Sequence, residues 1–326
     1  MTAPVLTSLP FLDGITLASL VSWDAAIAAI EHALRHGRDL SAGPARTSVP
    51  AANGEILVMP AESDEAVGVK LVSIAPANAR LGLPRIQGVY VFFDATTLAP
   101  QLLIDGLALT SLRTPAVSAL AVRYLAAQDA ASLTVFGTGP QAYAHVQAVN
   151  SVRALRDVRV VARTLERAAD LVSRLRGEGF NASAGTADAV READIVVCAT
   201  TSDQPLFDGS LLSDHACVVS VGSHSPTGRE LDAQVFARAD RVVVEERTTA
   251  LREAGDVILA VAAGVLDVGS LVDMTEMLSA DRHHGISVFK SVGMGWQDLA
   301  VAEAAKAAWL DRWPILGRSH VLDRAT

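Results

Sequence analysis

The sequence predicts an α/β protein in which a doubly wound parallel sheet accompanies a separate α+β domain. Two patterns carry this prediction. From about residue 131 to residue 244, short β-branched runs alternate with helical segments, which is typical of parallel strands joined by crossover helices. Before that region, strand-like runs follow one another without a helix between them, which is typical of an antiparallel sheet.

Composition sets the broad class. The chain has 326 residues, of which 50% are hydrophobic and 19% are charged, so it can bury a substantial core in one large or two ordinary domains. A net charge of −9 and scattered basic residues argue against a nucleic-acid partner. The N-terminal residues lack the basic segment of a signal peptide, and no apolar run approaches the ~20 residues that span a membrane. We therefore expect a cytoplasmic protein with no membrane partner.

The first third of the chain is expected to form the α+β domain. A helix is predicted at about residues 23–34, ending at Gly37. Strands are predicted at 55–59, 67–74, 88–94 and 101–104. A long helix at 110–127 then leads into the second domain, and the last helix, near 296–310, is expected to fold back on the first domain.

The middle of the chain supplies the parallel sheet. In chain order we predict a strand at 133–136, a helix from about 141, a strand at 158–162, a helix at 165–176, strands at 195–198, 218–221 and 241–244, and a helix at 248–254.

The first of these strands runs into a Gly-x-Gly-x-x-Ala turn at residues 137–142 that opens a helix. In a dinucleotide-binding turn, Gly137 allows the tight bend, Gly139 lets the backbone approach a pyrophosphate, and Ala142 keeps the helix close to the strand. A glycine turn in another kind of α/β protein is the alternative. The position between a β-branched strand and a helix favours a Rossmann fold that binds a dinucleotide.

The second strand of that unit ends in Ala162, Arg163 and Thr164, about twenty residues beyond the glycine turn. An acidic residue there normally binds the ribose 2′-hydroxyl of NAD. Since no acid is present and Arg163 can bind a 2′-phosphate, NADP(H) is favoured and NAD(H) remains possible. The alternative is that Arg163 is a solvated surface charge.

Neither the cysteines nor the paired histidines indicate a metal site. Cys198 and Cys217 stand in apolar, strand-like runs, where a thiol usually acts as a small buried hydrophobic group. His283 and His284 are adjacent, so in a strand they point to opposite faces, and no acidic or cysteine residue lies at ligand spacing from them.

Several separated motifs occur in the order found in one known family. They are residues 113–121 (RTPAVSALA), 136–141 (FGTGPQ), 221–226 (VGSHSP) with 229–232 (RELD), and 288–293 (VFKSVG), together with the upstream Arg46 and 59–61 (MPA). On these motifs the chain resembles the ornithine cyclodeaminase/mu-crystallin family over nearly its whole length.

The resemblance implies a homodimer that acts on a small α-amino or α-imino acid with a nicotinamide cofactor. It implies a substrate-binding and dimerisation domain formed by residues 1–115 and 300–326, and an inserted Rossmann domain formed by residues 116–299.

The resemblance also implies roles for individual residues. Arg46, Lys70 and Arg113 match positions that receive the substrate carboxylate, and Lys70 stands in an apolar stretch where an unpaired ammonium is costly. The resemblance also implies that the turn at 291–293 lies beside the nicotinamide ring. The alternative is a glycine turn that only packs between the two domains. The cofactor-binding residues are expected to be Arg113, Thr114, Gly137, Thr138, Gly139, Pro140, Gln141, Ala162, Arg163, Thr164, Ser291, Val292 and Gly293.

Three departures from the family pattern bear on the reaction. Cyclodeaminating members have an Asp and, four positions later, a Lys where this chain has His224 and Gly228, and ornithine-using members have a Glu where this chain has Leu57. Groups that handle a substrate amine are therefore missing. The branch of Δ1-pyrroline-2-carboxylate and Δ1-piperideine-2-carboxylate (ketimine) reductases is the better match, which predicts NAD(P)H-dependent reduction of a cyclic α-imino acid to L-proline or pipecolate.

Such a reduction needs a proton source for the imine nitrogen. His224 is a candidate because imidazole titrates near neutral pH, and Lys70 or a water molecule is the alternative. His224 otherwise only hydrogen-bonds the loop that contains it. Alternative functions are ornithine cyclodeamination and alanine or amino-acid dehydrogenation. A third is NADPH binding without turnover, as in some mu-crystallin relatives. The three cations expected to bind a carboxylate argue against this third function.

Overall fold

The computed structural model describes residues 9–36, 43–281 and 285–313, and they divide into two compact units. Unit 1 contains the described residues up to 33, then 43–113, and 294–313. Unit 2 contains 34–36 and the described residues from 114 to 293. The chain enters the main part of unit 2 between Arg113 and Thr114 and returns to unit 1 between Gly293 and Met294.

The first part of the chain forms most of unit 1. Its elements are β1 (Phe11–Leu12), α1 (Gly14–Leu20), α2 (Trp23–Arg35), β2 (Thr47–Ala51), β3 (Gly54–Glu62), β4 (Ala66–Ile74), β5 (Ile86–Asp94), β6 (Pro100–Asp105) and α3 (Gly106–Leu125). The six strands form one sheet in the order β1-β6-β5-β4-β3-β2. β1 runs parallel to β6, and the other neighbours are antiparallel. The predicted α+β fold of this part is confirmed.

The inner face of this sheet carries the core of unit 1. In β4 every second residue from Ala66 to Val72 is buried, which is the period of a strand with one face on a core. Tyr90 on β5 is fully buried opposite Lys70, and its hydroxyl occupies the space that a Cβ on Gly68 would take.

The opposite face of the sheet, here called the outer face, is apolar, although the described part of the chain does not bury it. Its residues are half-buried or exposed, and Val49, Ile56 and Leu71 are 47%, 41% and 37% exposed. The apolar residues of this outer face are Phe11, Val49, Ile56, Val58, Pro60, Val67, Val69, Leu71, Val89, Val91, Phe93 and Leu103. An antiparallel sheet that meets water on one side usually has polar residues there.

Unit 2 is a doubly wound α/β unit. Its elements are β7 (Ser132–Phe136), α4 (Pro140–Val152), β8 (Asp157–Val161), α5 (Leu165–Gly177), β9 (Ala182–Gly185), β10 (Ile195–Cys198), β11 (Cys217–Ser220), α6 (Ala233–Arg238), β12 (Arg241–Val244), α7 (Arg247–Glu253), α8 (Gly255–Ala262), β13 (Leu271–Asp273), α9 (Met274–Met277) and β14 (Ser287–Lys290). The eight strands are parallel, in the order β13-β12-β14-β11-β10-β7-β8-β9. The predicted parallel sheet is confirmed.

The strand order reverses direction between β7 and β10. In open parallel sheets, ligands bind at the carboxyl ends of the strands beside such a switch point. The central strands β10 and β11 are fully buried, as expected for strands covered on both faces. Cys198 and Cys217 lie in them as free thiols, and burial raises the pKa of Cys217 to about 12.

Helix α10 (Gly295–Arg312) returns the chain to unit 1 and packs on β3 and β4, as the sequence predicts for the last helix. Within the described ranges no single helix is long and apolar enough to cross a membrane. Taken together, α1 and α2 have the length and composition of a membrane-spanning segment, but the pair is bent by 78°.

A buried histidine joins α3 to α4 in unit 2. His145 Nδ1 lies 2.7 Å from the carbonyl oxygen of Gln141, and Nε2 lies 2.9 Å from Ser118 Oγ. Because a carbonyl only accepts, Nδ1 carries the proton and Ser118 donates to Nε2. Burial lowers the pKa of His145 to about 4, so the imidazole is neutral in the folded protein at neutral pH.

This histidine makes stability depend on pH. An unfolded histidine titrates near 6.5, so between about pH 6.5 and pH 4 the unfolded chain binds more protons, and the free energy of unfolding falls as pH falls, by about 1.4 kcal/mol per pH unit. We expect His145→Gln to lose this component in urea unfolding measured between about pH 7 and pH 4.5. The exposed His215→Gln variant retains His145 and is the control, and an unchanged pH slope in His145→Gln would contradict the assignment.

Candidate active site

Lys70 occupies an inward position on β4 and is 1% exposed. Its Nζ donates to Asp298 Oδ1 at 2.8 Å, lies 2.7 Å from Oδ2, and donates to Thr110 Oγ1 at 3.2 Å. The ammonium that the sequence places in an apolar strand is therefore paired with a carboxylate from the last helix.

Arg113 on α3 meets the same carboxylate. Its Nε donates to Asp298 Oδ1 at 3.2 Å, and its NH1 donates to Gln297 Oε1 at 2.7 Å. Asp298 is fully buried, and Arg113 is 5% exposed. We call Lys70, Arg113 and Asp298 the cation cluster.

The start of α10 brings Asp298 to the sheet. A Cβ on Gly295 would lie 2.5 Å from the carbonyl oxygen of Pro60, so glycine allows the helix to begin against β3. Asp298 then falls in the first turn of α10, where the helix dipole favours a carboxylate.

The cation cluster has an excess of positive charge, since two cations share one carboxylate. Burial and the charges of Arg113 and Arg46 together lower the pKa of Lys70 to about 8, against the opposing effect of Asp298. Arg46 is half-buried just before β2. The structure thus brings the three cations predicted from the sequence into one electrostatic group, which a ligand carboxylate would neutralise.

The glycine turn of unit 2 lies at the switch point. Gly137 has φ +112°, and a Cβ there would lie 2.4 Å from the carbonyl oxygen of Ala199, so the position requires glycine. A Cβ on Gly139 would meet no atom within 4 Å. Gly139 is the N-cap of α4 and provides no side chain to cap its N–H groups, with Pro140 following. The open N-terminus of α4 fits an anionic group such as a pyrophosphate.

The end of β8 carries Ala162, Arg163 and Thr164, of which the last two are exposed. Thr164 is the N-cap of α5, and its hydroxyl bonds Glu166. Within the described part of the chain Arg163 has no ion-pair partner, and no acidic residue stands directly after β8.

A buried polar network ties together the loops at the carboxyl ends of β10, β11 and β14. Glu230 accepts from Thr200 N at 2.9 Å and from Gly222 N at 2.8 Å. Lys290 Nζ lies 2.9 Å from Asp256 Oδ2 and donates to the carbonyl oxygen of Ser223 at 2.7 Å. The network fixes the loop after β11.

His224 lies in that loop and is exposed. Its backbone neighbours Gly222 and Ser223 are the residues that Glu230 and Lys290 hold. The structure therefore places His224 at the carboxyl edge of the parallel sheet, whereas Lys70 belongs to unit 1.

Glu245 organises the turn at 291–293. Its carboxylate accepts from Ser291 Oγ at 2.8 Å, from Val292 N at 2.8 Å and from Gly293 N at 2.9 Å. Glu245 is 2% exposed and directly follows β12. A buried carboxylate with this many donors makes the turn a rigid feature of unit 2.

Metal ligands do not cluster in the described part of the chain, where no group of three or more His, Cys, Asp and Glu side chains is arranged to hold an ion. His283 and His284 lie outside the described residues.

Sequence reasoning did not single out the partners of these groups. Lys290 stands in an apolar strand as Lys70 does, so the same signal was available for it. The carboxylates gave no comparable local signal, because each one bonds residues distant in sequence. The polar groups missed in this way are Glu230, Glu245, Asp256, Lys290, Gln297 and Asp298.

Comparisons with known proteins agree with this architecture. A Δ1-pyrroline-2-carboxylate reductase of Bacillus cereus is 35% identical over 273 residues, which cover 80% of this chain and 84% of that protein. The ketimine reductase mu-crystallin of Rattus norvegicus is 31% identical over 270 residues, covering 82% of this chain and 85% of that protein.

A solved structure of Thermococcus litoralis Δ1-pyrroline-2-carboxylate reductase, in complex with NADH and L-proline, superposes with a TM-score of 0.85. It is 29% identical and covers 93% of this chain and 98% of that chain. The family profile described as "Ornithine cyclodeaminase/mu-crystallin family" matches residues 13–312. The chain belongs to the ornithine cyclodeaminase/mu-crystallin family.

Proposed function

We propose that the protein is an NAD(P)H-dependent reductase of cyclic α-imino acids that converts Δ1-pyrroline-2-carboxylate or Δ1-piperideine-2-carboxylate to L-proline or L-pipecolate. The observation that carries the proposal is the cation cluster, a buried group with one excess positive charge. The names of the relatives support the same reaction. Unit 1 then serves as the substrate-binding and dimerisation part, and unit 2 as the dinucleotide-binding part.

The cation cluster recognises the substrate carboxylate. A guanidinium can hold a carboxylate in two parallel hydrogen bonds, and Lys70 and Arg46 add charge. Fixing that end of the substrate orients its C=N bond, which lowers the entropic part of the barrier. Leu57 on β3 lies on the same face of the sheet as Lys70. Ornithine-using members have a Glu at this position, whereas Leu57 presents an apolar side chain that cannot pair with a second amine.

The cofactor is held by unit 2. The N-terminus of α4 would hold the pyrophosphate, the end of β8 would bind the adenosine ribose, and the turn that Glu245 holds would bind the nicotinamide end. When bound, the reduced cofactor supplies a hydride for C2 of the imine. We propose NADP(H) as the preferred form, because Arg163 has no acidic neighbour after β8 and is exposed for a 2′-phosphate.

Lys70 is the proposed proton donor to the ring nitrogen. An N–H bond of its ammonium breaks, an N–H bond forms at the imine nitrogen, and Lys70 regains a proton from water. A group with a pKa of about 8 is mostly protonated at neutral pH and still acidic enough to donate. His224 in the loop after β11 is the alternative donor.

The test is oxidation of NADPH and NADH with each of the two imines, run beside NAD+ with ornithine and with alanine. We expect oxidation with an imine, and we expect Lys70→Met to lower kcat/KM by about 10²- to 10⁴-fold because it removes an acid and a carboxylate contact. His224→Ala is the matched variant, and a larger loss in it would move the donor role to His224. Ammonia release from ornithine or alanine, with no imine reduction, would overturn the proposal.

Cofactor preference tests the role of Arg163. Charge-assisted hydrogen bonds contribute about 1.5–3 kcal/mol, so Arg163→Ala should raise KM for NADPH by roughly 10- to 100-fold and leave KM for NADH nearly unchanged. Arg167→Ala removes another exposed charge, on α5, and is the control. Equal changes for both cofactors would show that Arg163 is only a surface charge.

We further propose that the protein is a homodimer that pairs through the outer face of the unit 1 sheet. Continuous apolar surface of this kind on a soluble protein marks an interaction site. Val49, Ile56 and Leu71 lie on this one face together with its other apolar residues, and that continuity supports the face as the interface.

A charge placed in the outer face should separate the subunits. We expect Leu71→Glu to convert a dimer into a monomer in light scattering after size exclusion, because a carboxylate buried without a partner is costly. Ile15→Glu, at a position on α1 that is 83% exposed, is the control. A wild-type monomer, or a dimer that tolerates Leu71→Glu, would contradict this interface.

A further inference from the structure

We propose that Asp298 is a positioning residue that holds the Lys70 ammonium and the Arg113 guanidinium in place and retains the proton on Lys70 until the substrate takes it. This inference rests on the proposed function for its chemistry. Nothing in the family resemblance or in the compared proteins' names assigns a role to Asp298.

The geometry makes Asp298 the shared acceptor of the cluster. Lys70 Nζ lies 2.8 Å from Oδ1 and 2.7 Å from Oδ2, and Arg113 Nε lies 3.2 Å from Oδ1. The carboxylate of Asp298 is fully buried, so it does not pair with a charge at the protein surface. A buried carboxylate between two cations fixes both of them.

Arg113 is held by two of its three guanidinium nitrogens. Its Nε and NH1 bond two consecutive residues of α10, Asp298 and Gln297. In the described part of the chain its NH2 group has no hydrogen-bond partner, so that nitrogen remains for a ligand carboxylate. Two fixed acceptors on a rigid helix therefore determine the plane of the guanidinium.

The proton on Lys70 depends on the same carboxylate. The groups that face Lys70 are Arg113 and Thr110 from α3, Arg46 from the segment before β2, Tyr90 from β5 and Asp298 from α10. Of these groups, Asp298 alone is acidic, and Tyr90 stays neutral because burial and the nearby carboxylates raise its pKa well above its usual value. Without Asp298, two cations and a desolvated site would all favour the neutral amine.

Asp298→Asn tests the proposal because it keeps the shape and removes the charge. The alkaline limb of kcat/KM for imine reduction should move to lower pH by about one unit or more, since an adjacent opposite charge shifts a pKa by that amount. Asp311→Asn, an exposed position on the same helix, is the matched control and should keep the wild-type profile. A uniform loss of activity at every pH, with no shift of the limb, would overturn the proposal.

If Asp298→Asn does not fold, the conservative variant Asp298→Glu tests the same proposal. Asp298→Glu retains the charge and displaces the carboxylate by one methylene, so kcat/KM should fall while the alkaline limb stays at the wild-type pH. Wild-type kcat/KM in a folded Asp298→Glu would show that the position of the carboxylate is unimportant and would overturn the positioning role.

A binding measurement separates this inference from the proposed function. Pyrrole-2-carboxylate is a planar carboxylate that needs no turnover, and its Kd by calorimetry should weaken above the pH at which Lys70 loses its proton. In Asp298→Asn this midpoint should move to lower pH by about one unit. If no imine is reduced but the midpoint shifts, the reductase proposal fails and Asp298 keeps its role; an unshifted midpoint rejects the role of Asp298.

Discussion

The compensation of buried charge is the constraint on which both units depend. Each unit buries one lysine on a strand and pairs it with an aspartate, Lys70 with Asp298 and Lys290 with Asp256. Removing one member of such a pair leaves an uncompensated charge in the interior, which costs about 3–5 kcal/mol. The pair in unit 1 joins residues that are 228 positions apart, so it also attaches the last helix to the sheet formed by the first third of the chain.

The two pairs differ in what remains after pairing. Lys290 contacts Asp256, the carbonyl oxygen of Ser223 and the hydroxyl of Ser220, so its ammonium has three oxygen partners. These contacts of Lys290 hold the loop after β11 in place. Lys70 shares its carboxylate with Arg113, and its group retains positive charge. A cluster with an unbalanced charge is a better place for a ligand than a balanced one, which is why the catalytic proposal rests on Lys70 and not on Lys290.

The strongly patterned elements were predictable, and the weakly patterned ones were not. The strands at 195–198 and 241–244 have the predicted bounds, because continuous β-branched runs leave no other assignment. β1, β2, β9, β13 and β14 were not predicted; β1 has two residues, and β9 consists of Ala, Ser and Gly, which carry no strand signal. For the site, Lys70 was visible as a charge in an apolar strand, whereas Asp298 was not, since its partners are set by tertiary packing.

Strand β2 has a further consequence for how copies of the chain can meet. It forms one edge of the unit 1 sheet, and it contains Pro50. A proline at an edge removes a backbone donor and blocks the addition of another strand. The same sheet thus discourages growth along its hydrogen-bonding direction while offering side chains on its outer face. Such an arrangement favours a closed pair of subunits over an open-ended fibre.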